Sequence, residues 1–174
     1  MMEQPRLPIY LLLDTSASMA GEPLEAAKQG IKALLAELRQ DVQTRDDGWI
    51  SMLAFDTLSR QILPLMPLMQ ADVPKLRAGG VSSLKGAIAL LEQCLSNDLT
   101  PADSKPIVFL LTDGNWLESV EELKCAVQKC PIHLIICAAG ARADLEPIKQ
   151  LSDDILLLNN LTLGSFSQYC IWST

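Results

Sequence analysis

Five apolar residues in a row, Ile9-Tyr10-Leu11-Leu12-Leu13, run without a polar break into Asp14, and hydroxyls follow at Ser16 and Ser18. An unbroken apolar run of this kind reads as a parallel strand buried on both faces. Few chains can accommodate such a strand outside an α/β sheet. Asp14, Ser16 and Ser18 then place hard oxygen donors on the turn that leaves its carboxyl end, the end at which open α/β sheets bind ligands. Such donors suit Mg²⁺, Mn²⁺ or Ca²⁺, and suit Zn²⁺ poorly without histidine or cysteine nearby. The same residues also serve as helix caps, a reading that needs no ligand.

A second unbroken run at 107–111 ends in Thr112-Asp113-Gly114. Between the two runs, Gly21-Glu22-Pro23 opens a helix whose apolar stripe (Leu24, Ala27, Ile31, Leu34, Leu35, Leu38) ends near 40–43. Asp46-Asp47-Gly48 reads as a turn, 49–55 as a strand ending on Asp56, and 60–65 as a further strand. The link 56–59 is too short for a crossover, so this strand is expected antiparallel at an edge. Gly79-Gly80 marks a tight loop, and Ser82-Ser83 precede a helix over 84–95. A helix through Val120, Leu123 and Val127, a strand at 132–137, a helix at 145–151 and a strand at 155–158 follow. Phe166, Tyr169 and Trp172 fit a closing helix. The alternation predicts a doubly wound α/β fold, a mostly parallel sheet with one antiparallel edge strand, built as one domain over 1–174.

Of the 174 residues, 49% are hydrophobic, which suits a buried sheet and not a disordered chain. The formal net charge of −7 argues against nucleic acid or an anionic membrane as partner. The five cysteines form no C-x-x-C pair and their number is odd, as expected of reduced structural thiols. The N-terminal residues lack the basic and apolar regions of a signal peptide, and no apolar run reaches the roughly 18 residues of a membrane span. The expected location is the cytoplasm.

If the strand ending at Asp14 neighbours the strand ending at Asp113, the polar clusters at Asp14/Ser16/Ser18, Ser82/Ser83 and Thr112-Asp113 converge on one rim. With only two carboxylates among hydroxyls, a dication there keeps positive charge and an open position. In these residues the chain resembles the von Willebrand factor A domains and their metal-ion-dependent adhesion site (MIDAS). The signature there is D-x-S-x-S, a later threonine and the aspartate of a T-D-G turn. Asp14, Ser16, Ser18 and Asp113 match it, and Ser82 stands where the threonine is expected, with Ser83 as a competing assignment. Serine keeps the oxygen and loses the methyl that restrains its rotamer.

The resemblance narrows to the bacterial TerY-like group of tellurium-resistance proteins through residues 6–16, Gly21-Glu22-Pro23, Leu38-Arg39-Gln40-Asp41, Trp49-Ile50-Ser51 and the ending 166–172. That group usually carries a longer loop after T-D-G; here Asn115-Trp116-Leu117 lead directly into a helix. The resemblance implies a divalent cation, Mg²⁺ foremost, and a protein partner that offers an Asp or Glu carboxylate. It also implies a tellurite or stress-response setting, with a protein kinase or a PP2C-type phosphatase as candidate partners.

Three further residues carry paired readings. Asp56 is either a group orienting a metal-bound water or the cap of the Thr57-Leu58 turn. Trp116 either anchors a partner beside the metal or folds onto the helix below it. His133, the only histidine, reads as a sheet-face residue, and Glu118, Glu121 and Glu122 as a solvated helix face. Catalysis is not expected. Aspartyl phosphatases of the haloacid-dehalogenase kind need a second aspartate where Ser16 stands, and the chain has no G-x-S-x-G, Walker A or Rossmann glycine pattern. The alternatives to a metal-dependent binding module are a metal-free scaffold and, less favoured, an Asp14-based phosphoryl-transfer enzyme.

Overall fold

The computed structural model describes residues 4–158, so the closing helix expected around Phe166, Tyr169 and Trp172 lies outside the described residues. Strands β1 (Leu7–Asp14), β2 (Gly48–Phe55), β3 (Ser59–Pro67), β4 (Ile107–Thr112), β5 (His133–Ala138) and β6 (Ile155–Leu157) form one sheet in the order β3-β2-β1-β4-β5-β6. Every neighbouring pair is parallel except β2 and β3. Helix α1 (Glu22–Gln40) covers one face, with the short α2 (Val42–Asp47) after it. Helices α3 (Leu84–Asp98), α4 (Val120–Gln128) and α5 (Leu145–Leu151) cover the other. This is the doubly wound α/β class with one antiparallel edge strand.

Strand β1 shows why the chain folds this way. All eight of its residues are buried, because alternate side chains serve two different cores. Leu7, Ile9, Leu11 and Leu13 pack with Leu24, Ile31, Leu34 and Leu38 of α1. Tyr10 and Leu12 pack with Leu84, Ile88 and Leu91 of α3 and Leu123 of α4. Each fully buried Leu or Ile contributes about 2 kcal/mol gross, and a one-residue slip would exchange the two sets of side chains and mispack both cores at once. The chain runs from β1 outward to β2 and β3, then returns past β1 to β4. The switch point therefore lies between β1 and β4, whose register pairs Leu13 with Leu111.

Two local expectations differ from what is found. Residues 42–47 form helix α2 and not a turn, because Asp41 caps them: its carboxylate accepts from Thr44 N at 2.9 Å and from the Thr44 hydroxyl. Strand β3 runs on through Pro64 to Pro67. It lies on the sheet edge, where a missing N–H costs no ladder bond, and register shifts opposite Met52 absorb the irregularity.

At the opposite end of the sheet, Arg6 donates to both carboxylate oxygens of Asp103 at 2.9 and 2.7 Å and stacks over Trp49 at 4.9 Å. The Arg6 guanidinium, helped by Thr100 N, holds the Asp103 carboxyl below its ordinary value against the opposing effect of burial. A depressed carboxyl pKa adds stability above the unfolded value, about 3.9, which is lost as pH falls through the folded one. Asp103→Asn is expected to lower the melting temperature by roughly 5 °C at pH 7, and the gap from the parent should close on acidification below pH ~3 in a thermal-melt series.

The described cysteines differ in access. Cys125 is exposed, whereas Cys94, Cys130 and Cys137 are buried and none of the four is bridged. Burial and the Glu92 carboxylate push the Cys130 thiol up to about 11, and burial alone pushes Cys137 higher still. Thiolate is the reactive form. Alkylation of native protein at pH 8, read by peptide mass spectrometry, should label Cys125 first of these four and Cys137 only after unfolding.

Candidate metal centre

Asp14 closes β1 with 1% of its surface exposed, and Asp113 follows β4 with 4%. Carboxylates this deep normally carry a cationic partner. Among the described residues neither has an ion pair. Hydroxyls and amides surround Asp14 instead. Its Oδ1 accepts from Ser16 N at 3.0 Å; its Oδ2 accepts from Ser82 Oγ at 3.2 Å and Thr112 Oγ1 at 2.7 Å. Ser16 Oγ and Ser18 Oγ stand 3.2 Å apart. Burial pushes the Asp14 carboxyl above its ordinary value; the Ser16 and Thr112 bonds oppose that, and the Asp113 charge adds to it. Asp113 Oδ1 accepts from Asn115 N at 3.1 Å.

Loops from four strand ends hold this cluster. After β1, Thr15 donates its N–H to Phe55 O, and its hydroxyl lies 3.0 Å from Asp56 Oδ2. Gly79 N donates to Thr15 O, and Ala17 N to Gly80 O, which lays the 79–82 loop against the D-x-S-x-S turn. Gly80 has φ +75°, and a Cβ there would meet Thr57 Oγ1 at 2.5 Å. Gly114, at φ +84°, faces Asp144 O across 2.3 Å from its would-be Cβ, while Asp144 N donates to Asp113 O. Asp113 thus stands at a turn that only glycine can complete.

Ser82, 5% exposed, faces Asp14, whereas the Ser83 hydroxyl is engaged elsewhere. Ser83 caps α3 through Gly86 N and donates to Glu118 Oε1 at 2.8 Å. Asp56 closes its own turn through Leu58 N, accepts from Thr15 and pairs with Arg60 at 3.3 Å. Burial would raise its carboxyl pKa, but these three partners together hold it below the ordinary value. Trp116 is half-buried against the α3–α4 core, and its Nε1 donates to Thr112 Oγ1 at 2.9 Å. His133 begins β5, at the amino end of the sheet away from the cluster, 2.9 Å from Asp154.

Two residues have roles that the sequence does not assign. Thr112 belongs, with Asp113, to one of the polar clusters expected on the rim but not to the candidate ligands, and its hydroxyl lies at the centre of the site. Gly114 N and Trp116 Nε1 can only donate to it, which fills both its lone pairs and directs its single proton to Asp14. Glu118 was read as a helix-face residue, but α4 begins at Val120 and Ser119 is its cap. The pattern Ser119-x-x-Glu122 is a capping-box signal that places Glu118 outside the helix. There it accepts from Ser83 Oγ and from Leu84 N at the start of α3, while Leu117 N donates to Ser82 O.

The donor set fits a hard dication. Ser82 directs its proton at Asp14 and keeps its lone pairs, Ser16 and Ser18 add hydroxyl oxygens, and two carboxylates supply charge. Among the described residues no three of His, Cys, Asp and Glu cluster as metal ligands, so hydroxyls would make up the rest of the shell.

A doubly wound α/β sheet of this strand order, with an aspartate-and-hydroxyl cluster at its switch point, places the chain in the Rossmann-like α/β class. The family model of the von Willebrand factor type A domain matches residues 9–115, and the chain belongs to that family. A search of curated proteins found no match. Among solved structures it is similar to the conserved hypothetical protein BatB from Bacteroides thetaiotaomicron, 19% identical with a TM-score of 0.61 over 96% of this chain and 95% of that one. It is also similar to proximal thread matrix protein 1 from the mussel byssus with a zinc-occupied MIDAS motif, 17% identical at TM-score 0.66. That match covers 97% of this chain and 48% of the mussel protein, so the chain spans about half its length. A third is the von Willebrand factor type A structure from Catenulispora acidiphila, 16% identical at TM-score 0.64 over 86% and 37% of the two chains. At these identities the likeness concerns the fold alone.

The two serines separate cleanly by substitution. Ser83→Ala should cost about 1 kcal/mol of stability through the lost cap and leave metal affinity within twofold. Ser82→Ala should weaken Mg²⁺ or Mn²⁺ binding by at least tenfold and should also lower the metal-free melting temperature, because the buried Asp14 loses a donor. Thermal melts with and without metal, alongside calorimetric titration, measure both.

Proposed function

We infer that this chain is a metal-dependent protein-binding module that works through a MIDAS-type centre. The observation that carries the reading is the pair of buried carboxylates, Asp14 and Asp113, that have hydroxyl neighbours but no cationic partner among the described residues. Ser16, Ser18 and Ser82 would hold the cation, with Asp14 and Asp113 reaching it directly or through water. When bound, the cation supplies net positive charge and a coordination position for a partner's Asp or Glu carboxylate. The protein's own residues supply the orientation: Thr112 fixes Asp14, Asn115 N fixes Asp113, and the hydrogen bonds of Gly79 and Gly80 hold the neighbouring loops.

Oxygen donors favour Mg²⁺ in a cell, with Mn²⁺ and Ca²⁺ as alternatives. The zinc-occupied MIDAS motif of the mussel protein brings Zn²⁺ into the set to be tested, although the donors alone argue against it. We read the module as a binder and not a catalyst, which the distance of His133 from the cluster and the serine at position 16 support. The resemblance to the TerY-like group supports a cytoplasmic tellurite or stress-response role, with a protein kinase or PP2C-type phosphatase as candidate partner. No helix of the described residues is long and apolar enough to cross a membrane.

Saturating metal should raise the melting temperature of the parent and not of Asp14→Ala. At 100 times the dissociation constant the gain is roughly 2.7 kcal/mol, or about 5–10 °C. Protein capture should be lost both with EDTA and with Asp14→Ala while circular dichroism stays unchanged. Capture that survives both treatments would favour the metal-free scaffold instead.

A further inference from the structure

Three of the exposed large apolar side chains among the described residues, Leu58 (74%), Val81 (52%) and Leu117 (71%), lie in loops at the carboxyl ends of the strands. Val81 and Leu117 flank the candidate metal centre directly. They line a depression of about 340 Å³ with Ser16, Ser18, Ser82 and Trp116. Leu58 follows Thr57, whose hydroxyl accepts from Val81 N at 3.1 Å, and so extends the same side. Val81 and Leu117 are not scattered singly but line one depression rimmed by polar groups, the arrangement that marks a contact surface.

The other side differs in chemistry. A second depression of about 370 Å³ shares Ser18 and Asn115 with the first and runs past Asp113 to Arg142. Arg142 is exposed and has no ion pair among the described residues. Glu22, an acid of that groove, is committed to the loop itself, accepting from Ala141 N at 3.0 and 3.3 Å. The surface therefore reads, in order, apolar shelf, oxygen-lined centre, guanidinium.

We propose that the partner docks as an extended acidic segment with three features. One carboxylate reaches the Ser16/Ser18/Ser82 centre, a large aliphatic residue beside it covers Val81 and Leu117, and a second carboxylate on the other side pairs with Arg142. This rests on the reading of the centre given above and adds its selectivity. In an extended segment alternate residues share a face, so the three side chains can meet one surface together. The second carboxylate is favoured by the Arg142 fork, whose paired N–H groups donate to a carboxylate in bidentate fashion. In a chain of net charge −7, that exposed cation selects acids arriving from this side alone.

The test is a phage-displayed seven-residue library with a fixed central Asp and random flanks. It is selected on the immobilised full chain in Mg²⁺ or Mn²⁺ and eluted with EDTA, beside a library with central Asn. Enrichment of Leu, Ile, Met or Phe on one flank and Asp or Glu on the other supports the proposal. Val81→Ser/Leu117→Ser should erase the apolar preference alone, and Arg142→Ala the acidic one alone. For a selected peptide the first loss should read as roughly tenfold in affinity, the effect of leaving one large aliphatic group in water, and the second as about two- to fivefold, the effect of one exposed ion pair. An EDTA-eluted pool rich in central Asp with random flanks overturns this proposal and leaves the metal-dependent reading standing. A pool no larger than that from the Asn library overturns the metal-dependent reading as well.

Discussion

Burial of the Asp14 carboxylate is the constraint around which the rest of this structure is arranged. A strand covered on both faces delivers it to the sheet's carboxyl end, where it has almost no contact with water. An isolated charge in that position would be strongly unfavourable. The chain answers with one amide and two hydroxyls from three separate segments, Ser16, Ser82 and Thr112. Those segments are adjacent only because β1 lies between β2 and β4. Topology and electrostatics are therefore one problem here: the switch point supplies the crevice, and the buried charge dictates what must line it.

The loops are tied to one another as much as to the sheet. Ser82 O accepts from Leu117 N, and Glu118 bridges to the start of α3. Helix α3 thus receives its N-terminal cap from two sources, Ser83 of its own chain segment and Glu118 from the loop after β4. The carboxylate at that end also complements the helix dipole. Two loops that each carry a candidate ligand, Ser82 and Asp113, are in this way fixed relative to one another through groups that need not touch a ligand themselves.

The fold was largely legible in the sequence because its signals are strong and local. The apolar runs at 9–13 and 107–111 admit few alternatives, and the short link 56–59 forced the antiparallel edge. Asp14, Ser16, Ser18, Ser82 and Asp113 could be brought to one rim by topology alone. What could not be read were contacts between residues distant in sequence. Glu118 meets Ser83 across 35 positions, and the assignment of Ser82 over Ser83 to the cluster side depends on which hydroxyl the α3 cap claims. Helix α2 was missed for a different reason: the turn signal Asp46-Asp47-Gly48 outweighed the Asp41–Thr44 cap three residues apart.

The hydrogen-bond chain from Trp116 through Thr112 to Asp14 has a direction. An indole N–H can only give, a carboxylate can only take, and the hydroxyl between them has both lone pairs filled. None of its members can reverse without breaking a bond. A hydroxyl in water reorients freely, and a cation entering a site lined by such groups must first organise them. Here the dipole beside Asp14 is already aligned when folding is complete, so a cation of the proposed kind would have little left to reorient. The tryptophan is in this sense a fixed electrical boundary condition: from the wall of the depression it sets, through two hydrogen bonds, the polarity at a carboxylate that it does not touch.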